Sequence, residues 1–251
     1  MNDPELYYSH DPIVEAIIGV AVERLAPDRL KDLDLLQTEA GPEYTKKRAL
    51  TLYEFEGELR MDQNLGPRAS ASTSQVQIGY TMQTKDGRQT FEARLDGFTY
   101  HHLAPYPRWT AFRSEGQRLW AIYRKLIMNQ PIIHGELRYI NRLEVPAGQE
   151  LSLSLQTYPE VGREVPQTLL GYHLEAKLQL QRMPGEVVIR QQMAPLASPG
   201  HVSIILDNTL LFGLGESLSD DALWARMEEA RHEKNRIFRG CITPAMEDRI
   251  K

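Results

Sequence analysis

Hydrophobic and polar positions alternate with a period of two from Ile13 to Leu25. Val14, Ala16, Ile18, Val20 and Val22 fall on one side, and Glu15, Ile17, Gly19, Ala21 and Glu23 on the other. That period predicts a strand with one strongly apolar face. Pro27-Asp28 opens a helix with Leu30, Leu33 and Leu36 or Leu35 along one side, and Gly41-Pro42 closes it. Alternation returns over Arg48 to Glu56. Residues 62–75 carry small and polar side chains without a period, which predicts a mobile loop. Val76 to Thr84 and Arg88 to Leu95 read as two strands joined at Lys85-Asp86-Gly87, where Gly87 supplies the positive φ of a tight turn. Phe98 to Leu103 continues the sheet. After Pro105-Tyr106-Pro107, the positions Trp109, Phe112, Gly116, Leu119, Tyr123 and Ile127 form one stripe at helical spacing, widened by Trp120. This predicts a helix from about Pro107 to Met128.

The order then begins again. Ile132 to Val145 alternates as a long strand, and residues 146–167 are irregular, with a short helix expected near Leu151 to Leu155. Leu169 to Leu180 predicts a strand with Leu170, Tyr172, Leu174, Ala176, Leu178 and Leu180 facing one way. Glu186 to Met193 and His201 to Phe212 read as further strands. A charged amphipathic helix spans Asp220 to Phe238, with Ser219 as its N-cap and acidic residues at the positive end of its dipole. The expected fold class is therefore α+β, in two similar halves, residues 1–130 and 131–251. Each half would be an antiparallel sheet covered by a long helix, and the two would share one continuous curved sheet. The segment Leu95 to Tyr100 matches Leu206 to Leu211 in position, and each leads into a helix with a tryptophan, Trp109 or Trp224. This order predicts an internal duplication. In topology it resembles the TATA-binding protein, whose two halves share a curved sheet.

Composition narrows the function. Of 251 residues, 41 % are hydrophobic and 25 % charged, which is enough apolar material for a packed core. The net charge of -5 argues against a general nucleic-acid binder, whose affinity comes from neutralising phosphates. Cys241 is the only cysteine, so no intramolecular disulfide can form. The polar, acidic start lacks a signal-peptide pattern and no apolar run is long enough to span a bilayer, so a cytoplasmic location without membrane association is expected.

No motif of catalytic specificity emerges. There is no P-loop. Gly213-Leu214-Gly215 lacks the third glycine of a dinucleotide fingerprint, and His232-Glu233 lacks the second histidine of a zinc helix because Arg236 stands in its place. No cofactor or metal is assigned. His101 and His102, adjacent in a strand, point to opposite faces and read as surface histidines at a strand end. Glu175 and Lys177, two apart on a strand, offer the alternative of a Mg²⁺-dependent nuclease, against which stands a plain solvated strand face. In Leu137 to Leu143, Asn141 shares the apolar face of Leu137 and Tyr139, while Arg138 and Arg142 share the other face with Glu136 and Glu144. This stretch reads either as a recognition surface or as a cross-strand charge ladder with a satisfied buried amide.

These residues also carry a resemblance. Pro12-Ile13-Val14-Glu15-Ala16, Tyr106 with Trp109, Leu137 to Arg142, Lys234-Asn235-Arg236-Ile237-Phe238 and Ile242-Thr243 resemble a sporadically distributed family of bacterial proteins of about this length, for which no activity is established. The resemblance spans nearly the whole chain and is compatible with mobile-element or phage-defence gene neighbourhoods. The expected function is a non-enzymatic interaction or ligand-binding protein, with a protein or small ligand as partner. The alternatives are the nuclease and a nucleic-acid binder using the shared sheet. The first strands of the halves should pair antiparallel, bringing Glu15 toward Arg142 and Glu23 toward Arg138. The expected binding residues are Glu15, Glu23, Arg138, Asn141 and Arg142.

Overall fold

Strand pairing organises the described residues from Ile13 to Phe212. The computed structural model describes residues 8–62, 66–127, 130–194 and 198–251, the side chains of 54–73 excepted. Among them run strands β1 (Ile13–Val22), β2 (Lys46–Asp62), β3 (Gly66–Gln83), β4 (Gln89–Arg94), β5 (Gly97–Leu103), β6 (Ile132–Pro146), β7 (His173–Gln179), β8 (Glu186–Ala194) and β9 (His201–Phe212). The helices are α1 (Leu30–Asp34), α2 (Leu36–Ala40), α3 (Trp109–Ile127), α4 (Asp220–Cys241) and α5 (Pro244–Ile250). The nine described strands form one antiparallel sheet in the order β2-β3-β4-β5-β1-β6-β9-β8-β7. The fold is α+β, and no described helix is long and apolar enough to cross a membrane.

The alternation in β1 separates two environments. Ala16, Ile18, Val20 and Val22 are buried in the core with Tyr100, Phe98, Leu137 and Tyr139 from the flanking strands. The helical stripe of α3 lies on this face. Phe112 stacks on Tyr100 at 5.2 Å, and Phe98 meets Trp120 at 5.9 Å and Tyr123 at 5.8 Å. Gly116 lets the helix approach closely, because a Cβ there would lie 2.9 Å from Ile18 Cδ1 and force it to shift. Ser219 caps α4 by accepting a bond from the Ala222 N–H.

Local expectations and structure part company in several places. Residues 66–75 are not a loop. They belong to β3, whose ladder with β2 runs from Asp62 opposite Gly66 to Lys46 opposite Gln83; residues 63–65 lie outside the described residues. Pairing with a neighbour replaced the absent alternation as the ordering force, because backbone hydrogen bonds are indifferent to side-chain period. The strand expected from Leu169 begins only at His173, and Leu170 is 91 % exposed. Leu178 also remains exposed, since β7 is an edge strand and its apolar side is incompletely packed. β1 ends at Val22, three residues before Leu25, and α4 runs on to Cys241, past Phe238. His102 is buried at 8 % exposure, not at the surface, and its Nδ1 lies 2.7 Å from the Leu103 carbonyl oxygen. The C-terminal helix α5 has no counterpart in the periodicity. Thr243 creates it by accepting a bond from the Met246 N–H and donating to the Leu153 carbonyl.

The seam between β1 and β6 is an antiparallel pair, with Ile17 opposite Arg138 and Gly19 opposite Glu136. Its charges pair differently from the expectation. Glu15 lies opposite Ile140 and takes His101 as its partner, 2.8 Å from Nδ1. Arg138 turns to the next strand and makes a two-pronged pair with Asp207, Nε to Oδ1 at 2.9 Å and Nη2 to Oδ2 at 2.7 Å. Arg142 is exposed, and its backbone N–H donates to the Pro12 carbonyl. Glu23 falls just beyond β1 and is exposed. Both observed pairs are diagonal: Glu15 stands opposite Leu103 and Arg138 opposite Thr209, so each reaches a residue two positions along the neighbouring strand, a span that long side chains cover.

Candidate functional site

Two faces of the sheet centre offer themselves. The face turned away from α3 carries Glu15, His101, Glu136, Arg138 and Asp207, with Arg94, Glu92, Arg190 and Glu175 toward its edges. Acids and bases alternate here and satisfy one another. Arg94 bonds Glu92, Asp96 and Thr99. Arg190 pairs with Glu175 at 2.6 Å and Lys177 with Glu186 at 2.6 Å. Both residues of the nuclease alternative are thus engaged in cross-strand ion pairs. No group of three or more His, Cys, Asp or Glu side chains able to hold a metal gathers among the described residues. The mixed signs also give no basic stripe for a phosphate backbone.

Glu136 is the exception to this pairing. It lies against Gly19, where an added Cβ would stand 3.1 Å from Glu136 Cβ. Burial pushes its carboxyl above the ordinary glutamate value, against the pull of Arg138 and Arg94. The folded state therefore holds this proton more tightly than the unfolded state. The associated stability is present below the unfolded value and is lost as pH rises through the folded one. Glu136→Gln should accordingly gain stability relative to wild type at about pH 8 and lose that advantage at about pH 4. Denaturant melts of both proteins across pH check this, and an equal loss at every pH would contradict it.

The other face holds a cavity of about 50 Å³ where β1, β6, α3 and α4 converge. Ile13 at the start of β1 and Pro12 just before it contribute to the lining. Tyr139 and Asn141, two apart on β6, point the same way and form part of the wall. α4 contributes Arg231, Lys234, Asn235 and Phe238, whose spacing of three and four places them on one helical face. The segment entering α3 contributes Tyr106, Arg108 and Trp109. Tyr8 and Asp11 complete the lining. Arg108 has φ of 73°, a left-handed conformation that costs a non-glycine residue about 1 kcal/mol or more. Its carbonyl nonetheless accepts the Phe112 N–H that starts the helix.

Bonding holds this wall in place. The hydroxyls of Tyr106 and Tyr139 meet at 2.8 Å, and their rings pack edge to face at 5.6 Å. Lys234 Nζ lies 3.9 Å from the centroid of the Tyr139 ring, a cation–π contact that fixes the ammonium beside the cavity. Asn141 Nδ2 donates to the Leu206 carbonyl at 3.2 Å, which satisfies the buried amide. Glu228 braces two lining residues from behind, accepting from Trp109 Nε1 at 2.7 Å and Arg231 Nη1 at 2.9 Å. Burial works against the Glu228 charge, yet these two bonds hold its carboxyl below the usual range. Asp11 is shifted the other way. Burial raises its carboxyl, against the Ile13 N–H bond and the Lys234 charge.

The expected binding residues are therefore divided. Glu15 and Arg138 share the open face, Asn141 lines the cavity on the opposite face, and Arg142 and Glu23 are exposed outside both groups. Sequence reading did not single out Tyr8, Asp11, Arg108 or Arg231 as site residues. Arg231 carries a usable signal, three residues before Lys234 on one helical face, whereas Asp11 and Arg108 sit in irregular segments with no periodicity to read. Comparison with protein-family models finds no match for this chain, and neither does comparison with curated proteins.

Proposed function

We infer that this chain is a ligand-binding protein and that the cavity between β1, β6, α3 and α4 is its site. The observation that carries this reading is convergence. Pro12, Ile13, Tyr106, Trp109, Tyr139, Asn141, Lys234, Asn235 and Phe238 all line the cavity. Each lies in one of the stretches on which the resemblance to the bacterial family rests, and those stretches are spread from one end of the chain to the other. A lining built from four elements with fixed polar groups is the usual form of a small-molecule site.

The same reading takes residues 1–130 and 131–251 as two related halves in the manner of the TATA-binding protein. The strand order supports it: β5, the last strand before α3, flanks β1, and β9, the last strand before α4, flanks β6. In that scheme each long helix covers its own half, and the cavity lies where the halves meet. The test is crystallographic fragment screening with neutral, cationic and anionic compounds. Fragments should gather in this cavity in preference to the open sheet face or the wider groove bounded by Pro146, Leu151, Tyr158 and Leu169. A cavity left empty while fragments collect elsewhere would overturn the reading.

A further inference from the structure

We propose that two copies of this chain associate through β7, edge to edge and antiparallel, about a twofold axis that passes through Ala176 normal to the sheet. The inference is independent of the cavity and adds an interaction surface with its partner. β7 closes one side of the sheet. Its inner side carries a full ladder with β8, from His173 opposite Gln192 to Gln179 opposite Glu186. Its outer side pairs with no strand among the described residues. An open edge presents N–H and C=O groups that a further strand takes up.

The sequence of β7, His-Leu-Glu-Ala-Lys-Leu-Gln, is complementary to itself when reversed. An axis at Ala176 sets Glu175 opposite Lys177 of the second copy, and Lys177 opposite Glu175 of that copy. It also sets Leu174 opposite Leu178, and His173 opposite Gln179. A twofold axis normal to the sheet keeps each face continuous, so the charges meet on the open face and the leucines on the face that carries the helices. Leu178, 51 % exposed, gains an apolar neighbour there. Neighbouring registers are penalised. An axis at Glu175 or at Lys177 would set that residue against its own copy, and like charges directly opposite destabilise a pair.

The charges of the open face lead to the same register. Signs alternate outward from β6. Arg138 bonds Asp207 on β9 at 2.7 Å, Arg190 on β8 stands opposite Asp207, and Glu175 on β7 pairs with Arg190 at 2.6 Å. Lys177 of the second copy is the next positive charge in that order, followed by its own partner Glu186, 2.6 Å away. The side chains of Glu175 and Lys177 are each more than half exposed, so both have room for the new neighbour. A seven-residue strand from each copy forms a small interface, which gives a weak, concentration-dependent dimer.

Analytical ultracentrifugation of the purified chain, from low micromolar to several hundred micromolar, tests this. Wild type should pass reversibly from monomer to dimer. Glu175→Lys and Lys177→Glu each turn both charge pairs of the interface into like-charge pairs, and each should weaken association about tenfold or more. Mixing the two variants in equal amounts should restore it, because one copy then carries two glutamates and the other two lysines. Circular dichroism establishes that each variant is folded. Should either charge reversal fail to fold, Leu178→Asp on the opposite face decides the matter, and it should weaken association by a similar factor. A chain that stays monomeric at every concentration would overturn the proposal. So would a dimer indifferent to either reversal, or to Leu178→Asp where that variant is needed, or a loss that mixing the folded variants does not restore. In each of those cases the reading of the cavity stands unaffected.

Discussion

Phe112→Ala should destabilise the protein by about 3–5 kcal/mol, a fall in Tm on the order of 10 °C for a chain of this size. The side chain is fully buried, and four rings surround it: Tyr100 at 5.2 Å, Tyr106 at 5.7 Å, and Trp109 and Tyr139 at 6.3 Å each. Truncation would remove the transfer energy of a large apolar group and leave a void that the packed surroundings close only in part. Three of those neighbours, Tyr106, Trp109 and Tyr139, line the cavity. If the cavity binds a ligand as proposed, the variant should lose that binding along with stability, whereas Phe112→Leu should lose less of both. Denaturant unfolding measures the first effect. A cost below about 1 kcal/mol would mean that α3 is not anchored to the sheet through this residue.

Asp207→Ala should cost about 2 kcal/mol, the second largest effect expected from a single change. Asp207 is 6 % exposed and accepts both prongs of Arg138, with Thr209 Oγ1 also donating to it at 3.4 Å. Breaking a fully buried pair typically costs about 3–5 kcal/mol, because the remaining charge is left without a partner. Here the Arg138 side chain is a third exposed, so water recovers part of the loss. Replacing both residues by leucine should restore most of the stability, since two apolar groups leave no orphaned charge. A double-mutant cycle reads the coupling directly. A double variant as unstable as the sum of the singles would show that the pair contributes nothing as a pair, and that each side chain acts through other contacts.

The pair also explains why the seam differs from the sequence expectation. Sequence pattern places Glu15, Arg138 and Arg142 on one face of adjacent strands, and that placement agrees with the register of β1 and β6 for Glu15 and Arg138. It contains no information about which residues on β5 and β9 stand beside them. His101 and Asp207, distant in sequence, take the partners because strand pairing brings them within bonding distance. Asn141 follows the opposite course. Its position on the apolar face is legible from parity alone, and its bond to the Leu206 carbonyl satisfies it as a buried amide must be satisfied.

Much of the local structure follows from the sequence alone. Periods of two and of 3.6 place β9 at His201–Phe212 and set the buried stripe of α3 from Trp109 to Ile127, because burial of one face is a repeating constraint that each residue records. Ser219 marks the start of α4, and Gly87, with φ of 76°, marks the turn between β3 and β4, because caps and turns are chosen by a few adjacent residues. Tertiary structure decided the rest. The long β2–β3 ladder includes residues without alternation, since the hydrogen bonds of a neighbour can order a backbone whose side chains carry no pattern. The exposure of Leu178 depends on β7 lying at the sheet edge, and Leu170 falls outside the strand altogether, which no local period encodes. The cavity brings Pro12, Tyr106, Tyr139 and Lys234 together across more than two hundred residues of chain. Periodicity assigns each of them at most a face; only packing of four elements around one point makes those faces a single surface.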